Sequence, residues 1–165
     1  MDKLTIVGLE GGTSGVAVEV QFNPKEISVD KSVPWKRHNS NEGGGLEFTA
    51  AEPRTMSFEL MFDGVESGAP IQDRIDTLQR LSEVDGRLGR PPRVKVVWGS
   101  ERGAGRIPPF DAVIESIGVT YTMFDADGMP LRATVRMGFI EALKLRAVAQ
   151  RTVAKRAQRS ARARR

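Results

Sequence analysis

The sequence predicts a mainly β domain, an antiparallel barrel or sandwich with one flanking helix. Three observations predict it. Apolar and polar residues alternate strictly in three separate runs, the signature of half-buried strands. A single internal segment has helical spacing. Turn signals at Gly11-Gly12, Asn23-Pro24, Gly43-Gly44-Gly45, Asp63-Gly64, Gly89 through Pro92 and Asp127-Gly128 cut the rest into short pieces. At 165 residues with 39% hydrophobic content there is room for one core, and we expect a domain over residues 1–141 followed by a tail over 142–165.

Taken in order, Lys3–Leu9 reads as a strand, and Val16, Val18, Val20 and Phe22 share one face of the next. Glu26–Trp35 follows as a further strand. In Thr55–Phe62, Met56, Phe58, Leu60 and Phe62 alternate with Thr55, Ser57 and Glu59, so one face is built for burial. Between Pro70 and Val84 the residues Ile71, Ile75, Leu78 and Leu81 recur at steps of four and three. Pro70 suits a first helical position there, and Gly86 a stop. Arg93–Trp98 and Ala112–Phe124 read as strands, the second bent near Gly118, where a residue without a side chain tolerates a bulge. Leu131, Ala133, Val135, Met137 and Phe139 form the last apolar face, with Arg132, Thr134 and Arg136 between them.

Lys36–Glu47 is polar for twelve positions and reads as a long irregular loop, the kind that carries contacts, hinged at Gly43–Gly45. The tail holds Lys144, Arg146, Arg151, Lys155, Arg156, Arg159, Arg162, Arg164 and Arg165 after the last acid, Glu141. That leaves 16 basic against 21 acidic residues, a formal −5, in residues 1–141. The high isoelectric point therefore describes the tail. Three uses fit it: a nucleic-acid or anionic-surface arm, a docking peptide for an acidic protein channel, or a solubilising end. It has no aromatic residue to stack a base, which disfavours single-strand recognition.

Chemistry finds little purchase. The absence of cysteine removes disulfides, thiolate catalysis and cysteine-ligated metals. The single histidine, His38, lies in the polar loop without an evident nucleophile. Asp125 and Asp127 beside Gly128 lack the remaining ligands of a calcium loop and read as a turn. Glu59, Asp63, Asp73 and Asp76 read as ordinary surface acids. We expect no catalytic residue, no cofactor and no metal. No run approaches the roughly 18 apolar residues of a membrane span, and the first residues do not read as a secretory signal. Cytoplasmic assembly without membrane insertion is the expectation.

Several segments, in order, resemble a known family. They are Gln21-Phe22-Asn23-Pro24, Leu46-Glu47-Phe48 with Pro53 and Met56 to Asp63, Pro91-Pro92-Arg93-Val94 leading to Trp98-Gly99, Val113 to Ser116, Tyr121 to Phe124, and Gly128 to Ala133. Together they resemble the tube-like N-terminal domain of contractile injection system proteins, over roughly residues 4–141. The resemblance implies a tail-tube-like β-barrel with a flanking helix in six-membered rings. The implied role is a baseplate tube-initiator adaptor of a phage-tail-like particle, released or membrane-associated. Its partners would be identical subunits, a spike hub, the inner tube or a second initiator protein, and baseplate or sheath components. The inner tube subunit or a cap ring is the alternative, and a nucleic-acid-associated protein acting through the tail a more distant one. Relatives often carry a LysM module; past Phe139 this sequence has the basic tail instead, so no carbohydrate-binding role is expected.

A ring adaptor works by geometry. It needs a head-to-tail lateral interface and two different axial faces. Strand pairing between copies would supply the lateral contact, with Arg132, Thr134 and Arg136 on one strand and Glu115, Thr120 and Thr122 on its partner lining a lumen or a subunit seam. The 36–47 loop, with His38 and with Trp35 and Phe48 at its base, is the expected arm toward an adjoining ring; a core role for both aromatics fits as well. Lys144, Arg146, Arg151, Lys155, Arg156 and Arg159 would dock the tail on a partner of opposite charge.

Overall fold

The computed structural model describes residues 2–38, 44–99, 107–143 and 145. Seven strands form one antiparallel sheet: β1 (Leu4–Gly8), β2 (Ala17–Glu19), β3 (Ile27–Asp30), β6 (Thr55–Asp63), β7 (Val94–Trp98), β8 (Phe110–Phe124) and β9 (Pro130–Glu141). Their spatial order is β2-β1-β7-β8-β9-β6-β3. A separate hairpin pairs β4 (Trp35–His38) with β5 (Gly45–Phe48). The single α-helix, α1, spans Gln72–Arg80.

Alternation dictates the core. Met56, Phe58, Leu60 and Phe62 of β6 face the same side as Ala133, Val135, Met137 and Phe139 of β9, and all are buried. Phe58 and Phe139 stack at 5.1 Å between ring centroids. Ile71, Ile75, Leu78 and Leu81, on and beside α1, join this cluster with Leu4, Ile6, Val94 and Val96. The helix covers the apolar face that an open sheet would leave wet.

The sheet curls but does not close by a backbone ladder. β3 pairs with β6 only from Ile27↔Phe58 to Asp30↔Thr55. Beyond this a side chain takes over: Gln21 Nε2 donates to the Asp63 carbonyl at 2.6 Å, and the Asp63 N–H donates to Gln21 Oε1 at 2.9 Å. The amide side chain imitates the missing strand. A cleft of about 570 Å³ remains along this seam, lined by residues including Phe22, Pro24, Ser28, Phe58 and Met61.

Several expectations change. The predicted 26–35 strand is two strands, because Pro34 has no N–H to give a ladder and residues 31–34 stay outside β3 and β4. The predicted 36–47 loop is strand at both ends, with Trp35↔Phe48 and Lys36↔Glu47 opposite each other. The helix begins two residues after Pro70 and ends at Arg80, where the Ser82 hydroxyl donates to the Gln79 carbonyl well before Gly86. The bulge in β8 falls at Glu115, since Ile114 pairs with Phe139 and Ser116 with Gly138. Ile114 and Ile117 both turn toward the core, and only one extra residue between them reconciles this with a period of two. Gly118 sits in regular pairing opposite Arg136.

Two polar clusters fasten the turn after β1 to the segment after α1. Asp85 accepts hydrogen bonds from the N–H groups of Gly12, Arg87 and Leu88, which lower its pKa. Glu10 meets Arg90 at 2.8 Å and Arg93 at 2.7 Å. The Arg90 hydrogen bond, aided by those from Arg93, pulls its pKa from 4.5 to about 2. A depressed carboxylate stabilises the fold above its unfolded pKa, and that contribution disappears as pH falls through the folded value.

Glu10→Gln is therefore expected to reduce stability at pH 7 and to flatten the acid limb of the stability curve between about pH 4.5 and 2, as read by denaturant unfolding across pH. Gln21→Leu removes both seam hydrogen bonds and is expected to cost ~1–3 kcal/mol in the same measurement.

Candidate assembly surfaces

Two clusters hold the residues singled out from sequence, and they are separate. The first is the β4–β5 hairpin, hereafter the arm. Strand alternation gives it two unlike faces. Trp35, Arg37, Leu46 and Phe48 share one, with Trp35 and Phe48 in edge-to-face contact at 5.6 Å. Trp35 is 54%, Leu46 66% and Phe48 52% exposed, so neither aromatic belongs to the core. Lys36, His38 and Glu47 occupy the other face, where His38 Nε2 lies 2.6 Å from Glu47 Oε2.

The second cluster is the outward face of β6, β9 and β8. Arg132 pairs with Asp63 at 2.6 Å and Arg136 with Glu59 at 3.0 Å, each directly across the β6–β9 ladder. Asp63 is lowered in pKa by the Val65 N–H first and by Arg132 second. Thr134 lies opposite Thr120, and both point outward. Glu115 and Thr122 are extra residues at the two places where β8 gains on β9, and both are exposed. The expected set on β8 and β9 therefore does share a face, polar and charge-paired, on the opposite side of the sheet from the core. Lys144, Arg146, Arg151, Lys155, Arg156 and Arg159 lie outside the described residues.

Backbone geometry adds what side-chain reasoning missed. β7 covers β8 only from Phe110 to Ala112. From Val113 to Phe124, among the described residues, β8 has β9 on one side and no strand on the other. β3, the last strand of the sheet, is likewise open on its outer side. Nothing in the composition of either strand announces which side lacks a partner. Sequence reading also passed over the β8–β9 turn as a site. There Phe124 and Met129 are each 56% exposed, with Met123 beside them. The Asp125 carboxylate holds the turn by accepting from the N–H groups of Asp127 and Met129, and Gly128 takes the positive φ of 83° it requires. Large apolar residues flanking an Asp-x-Asp-Gly turn were the available signal.

Among the described residues no cluster of three or more potential metal ligands occurs, and no helix is long and apolar enough to cross a membrane. What the geometry defines is a curled β subunit with open strand margins and a protruding arm. The family of contractile injection system tube proteins matches residues 1–150, and the chain belongs to it. Curated proteins give no match. The family relates the chain to the tube of a phage-tail-like particle.

The arm stands clear of the core, so Trp35→Ala is expected to change the unfolding free energy by no more than about 0.5 kcal/mol in a denaturant titration of the dispersed chain.

Proposed function

We propose that the chain forms a closed ring at the base of an injection tube, a tube-initiating adaptor that joins the spike hub to the inner tube. The observation that carries this reading is the side of β8 from Val113 to Phe124 that no strand pairs among the described residues. A long open edge is an invitation to pair with another chain, and soluble proteins seldom leave one bare.

The ring follows from strand count and direction. β8, β9, β6 and β3 are neighbours in one antiparallel run, and its two margins are the open sides of β8 and β3. Four strands is an even number, so setting β3 of one copy against β8 of the next preserves the up-down alternation around the whole circle. Different surfaces meet, as a closed head-to-tail ring requires. The polar face with Arg132, Thr134, Arg136, Thr120 and Thr122 then lines the lumen, while α1 and the core lie outside it. Six copies is what the family resemblance implies. Cross-strand ion pairs match both arginines of the lumen face with Glu59 and Asp63, so neither is free to hold a passing anion.

Identical subunits, the spike hub, the inner tube or a second initiator, and baseplate or sheath proteins are the proposed partners, with assembly beginning in the cytoplasm. The basic tail serves as a docking segment for an acidic partner. The role needs no catalysis. A second reading, the repeating tube subunit itself, is favoured by the family's own description as a tube protein.

Alternate residues of an antiparallel strand aim their N–H at opposite neighbours. Of Val119→Pro and Thr120→Pro, one is expected to lower the melting temperature by breaking the β8–β9 ladder. The other is expected to melt near the wild-type value as a dispersed chain yet fail to give rings in negative-stain micrographs. Rings from both variants at wild-type abundance would contradict the proposed edge.

A further inference from the structure

Whether a head-to-tail contact closes into a ring depends on one angle. If each copy turns the next through a whole fraction of a circle the assembly closes, and if not it runs on as an arc or a helix. In the ring proposed above β8 is the margin that meets the next copy. Whatever fixes the direction of β8 past Val113 therefore fixes that angle.

The backbone alone leaves this half of β8 free to bend. β7 parts from it after Ala112, and β9 carries it to the tip. β8 gains a residue on β9 at Glu115 and again at Thr122, and each such bulge bends and over-twists the strand that holds it. Two side-chain contacts oppose that freedom, one on each face. On the outward face the Ser116 hydroxyl lies 2.5 Å from where a Cβ on Gly138 would stand, so the first bulge is seated close over a residue without a side chain. On the core face Ile117, Val119 and Tyr121 pack against the buried cluster. There, beside the second bulge, the Tyr121 hydroxyl donates to Gln72 Oε1 at 2.8 Å. Gln72 is the first residue of α1, and its Nε2 donates to Asp76 Oδ1 at 2.6 Å, one turn further along the helix. Among the described residues, no other side chain between Val113 and Phe124 makes a hydrogen bond to the body.

We infer that Tyr121, tethered through Gln72 to α1, is a positioning residue for assembly: it sets the bend of the free half of β8 and with it the angle at which one copy receives the next. This rests on the ring reading and adds to it the residues that select a single copy number. The fold itself does not depend on the tether. The buried cluster contains neither Tyr121 nor Gln72, and both are half-buried at its margin. Losing the hydroxyl leaves the core in place and frees the bend. The Gln72 amide suits the relay because its oxygen accepts from Tyr121 while its nitrogen donates to Asp76, so each bond orients the group that makes the other.

The test is the copy number of assemblies of the full-length chain, read by native mass spectrometry and by class averages of negatively stained particles. Tyr121→Phe and Gln72→Leu are each expected to melt within about 4 °C of the wild type as dispersed chains. On assembly both are expected to lose the single copy number, giving arcs and rings of more than one size where the wild type gives one. Combining Gln72→Glu with Asp76→Asn keeps both hydrogen bonds, the second with donor and acceptor exchanged, and is expected to restore uniform rings. Gln72→Glu alone sets two carboxylates against each other and is expected not to. Uniform rings of wild-type size from both Tyr121→Phe and Gln72→Leu overturn the inference and leave the ring reading standing. A wild-type chain that forms no rings removes the ring reading, and the inference with it.

Discussion

Backbone pairing that one chain cannot satisfy by itself is the constraint on which the rest of this structure depends. Every N–H and C=O along a strand has two fates, a ladder bond or water, and a long edge left to water attracts another edge. β8 extends twelve residues past its last contact with β7, and β3 closes the opposite margin of the same four-strand run. The chain does seal edges where it can, and the Gln21 amide bonded to both backbone groups of Asp63 is the clearest case. Against that local economy the open side of β8 reads as a surface kept for a partner.

The side chains agree with the backbone. On one side, Phe58, Leu60, Val135, Met137 and Phe139 are buried in the same cluster as Ile75 and Leu78 of α1, which backs the four-strand run. On the other side its charges are matched across the ladder, Glu59 with Arg136 and Asp63 with Arg132. Exposed pairs of this kind add little stability. They make a wide sheet face polar without giving it strong net charge. The Glu115 bulge keeps both halves of β8 in this scheme, since without the extra residue Ile117, Val119 and Tyr121 would turn outward and the threonines inward.

Much of this was legible beforehand, and the reasons differ by element. Period-two alternation in 55–62 and 131–139 gave the central strands and their buried faces, because in a half-buried strand burial is the alternation. The helix was found from Ile71, Ile75, Leu78 and Leu81, while its ends were misplaced, since local turns at Ser82 rather than Pro70 and Gly86 set them. The arm was located by position but misread as irregular: its cross-strand pairs are Lys36 with Glu47 and Arg37 with Leu46, and such pairs become visible only once the register is known. The polar set on β8 and β9 lies on the side of the sheet away from the core, as strand alternation requires, with the bulge three residues from where Gly118 suggested. Open edges were invisible, because which side of a strand lacks a neighbour is a property of topology and not of any residue.

A structural member of an injection tube fits these features through geometry alone: a four-strand wall, an outward face whose arginines are paired, and margins open to further pairing among the described residues. The most direct test is backbone amide exchange across β8, measured in the assembled protein and in the chain dispersed by dilution. Slow exchange of alternate amides between Ser116 and Thr122 that appears only on assembly, with the intervening amides protected in both states by β9, is the result expected. Identical protection of all these amides in the two states would contradict it, and with it the claim that β8 is completed by another copy.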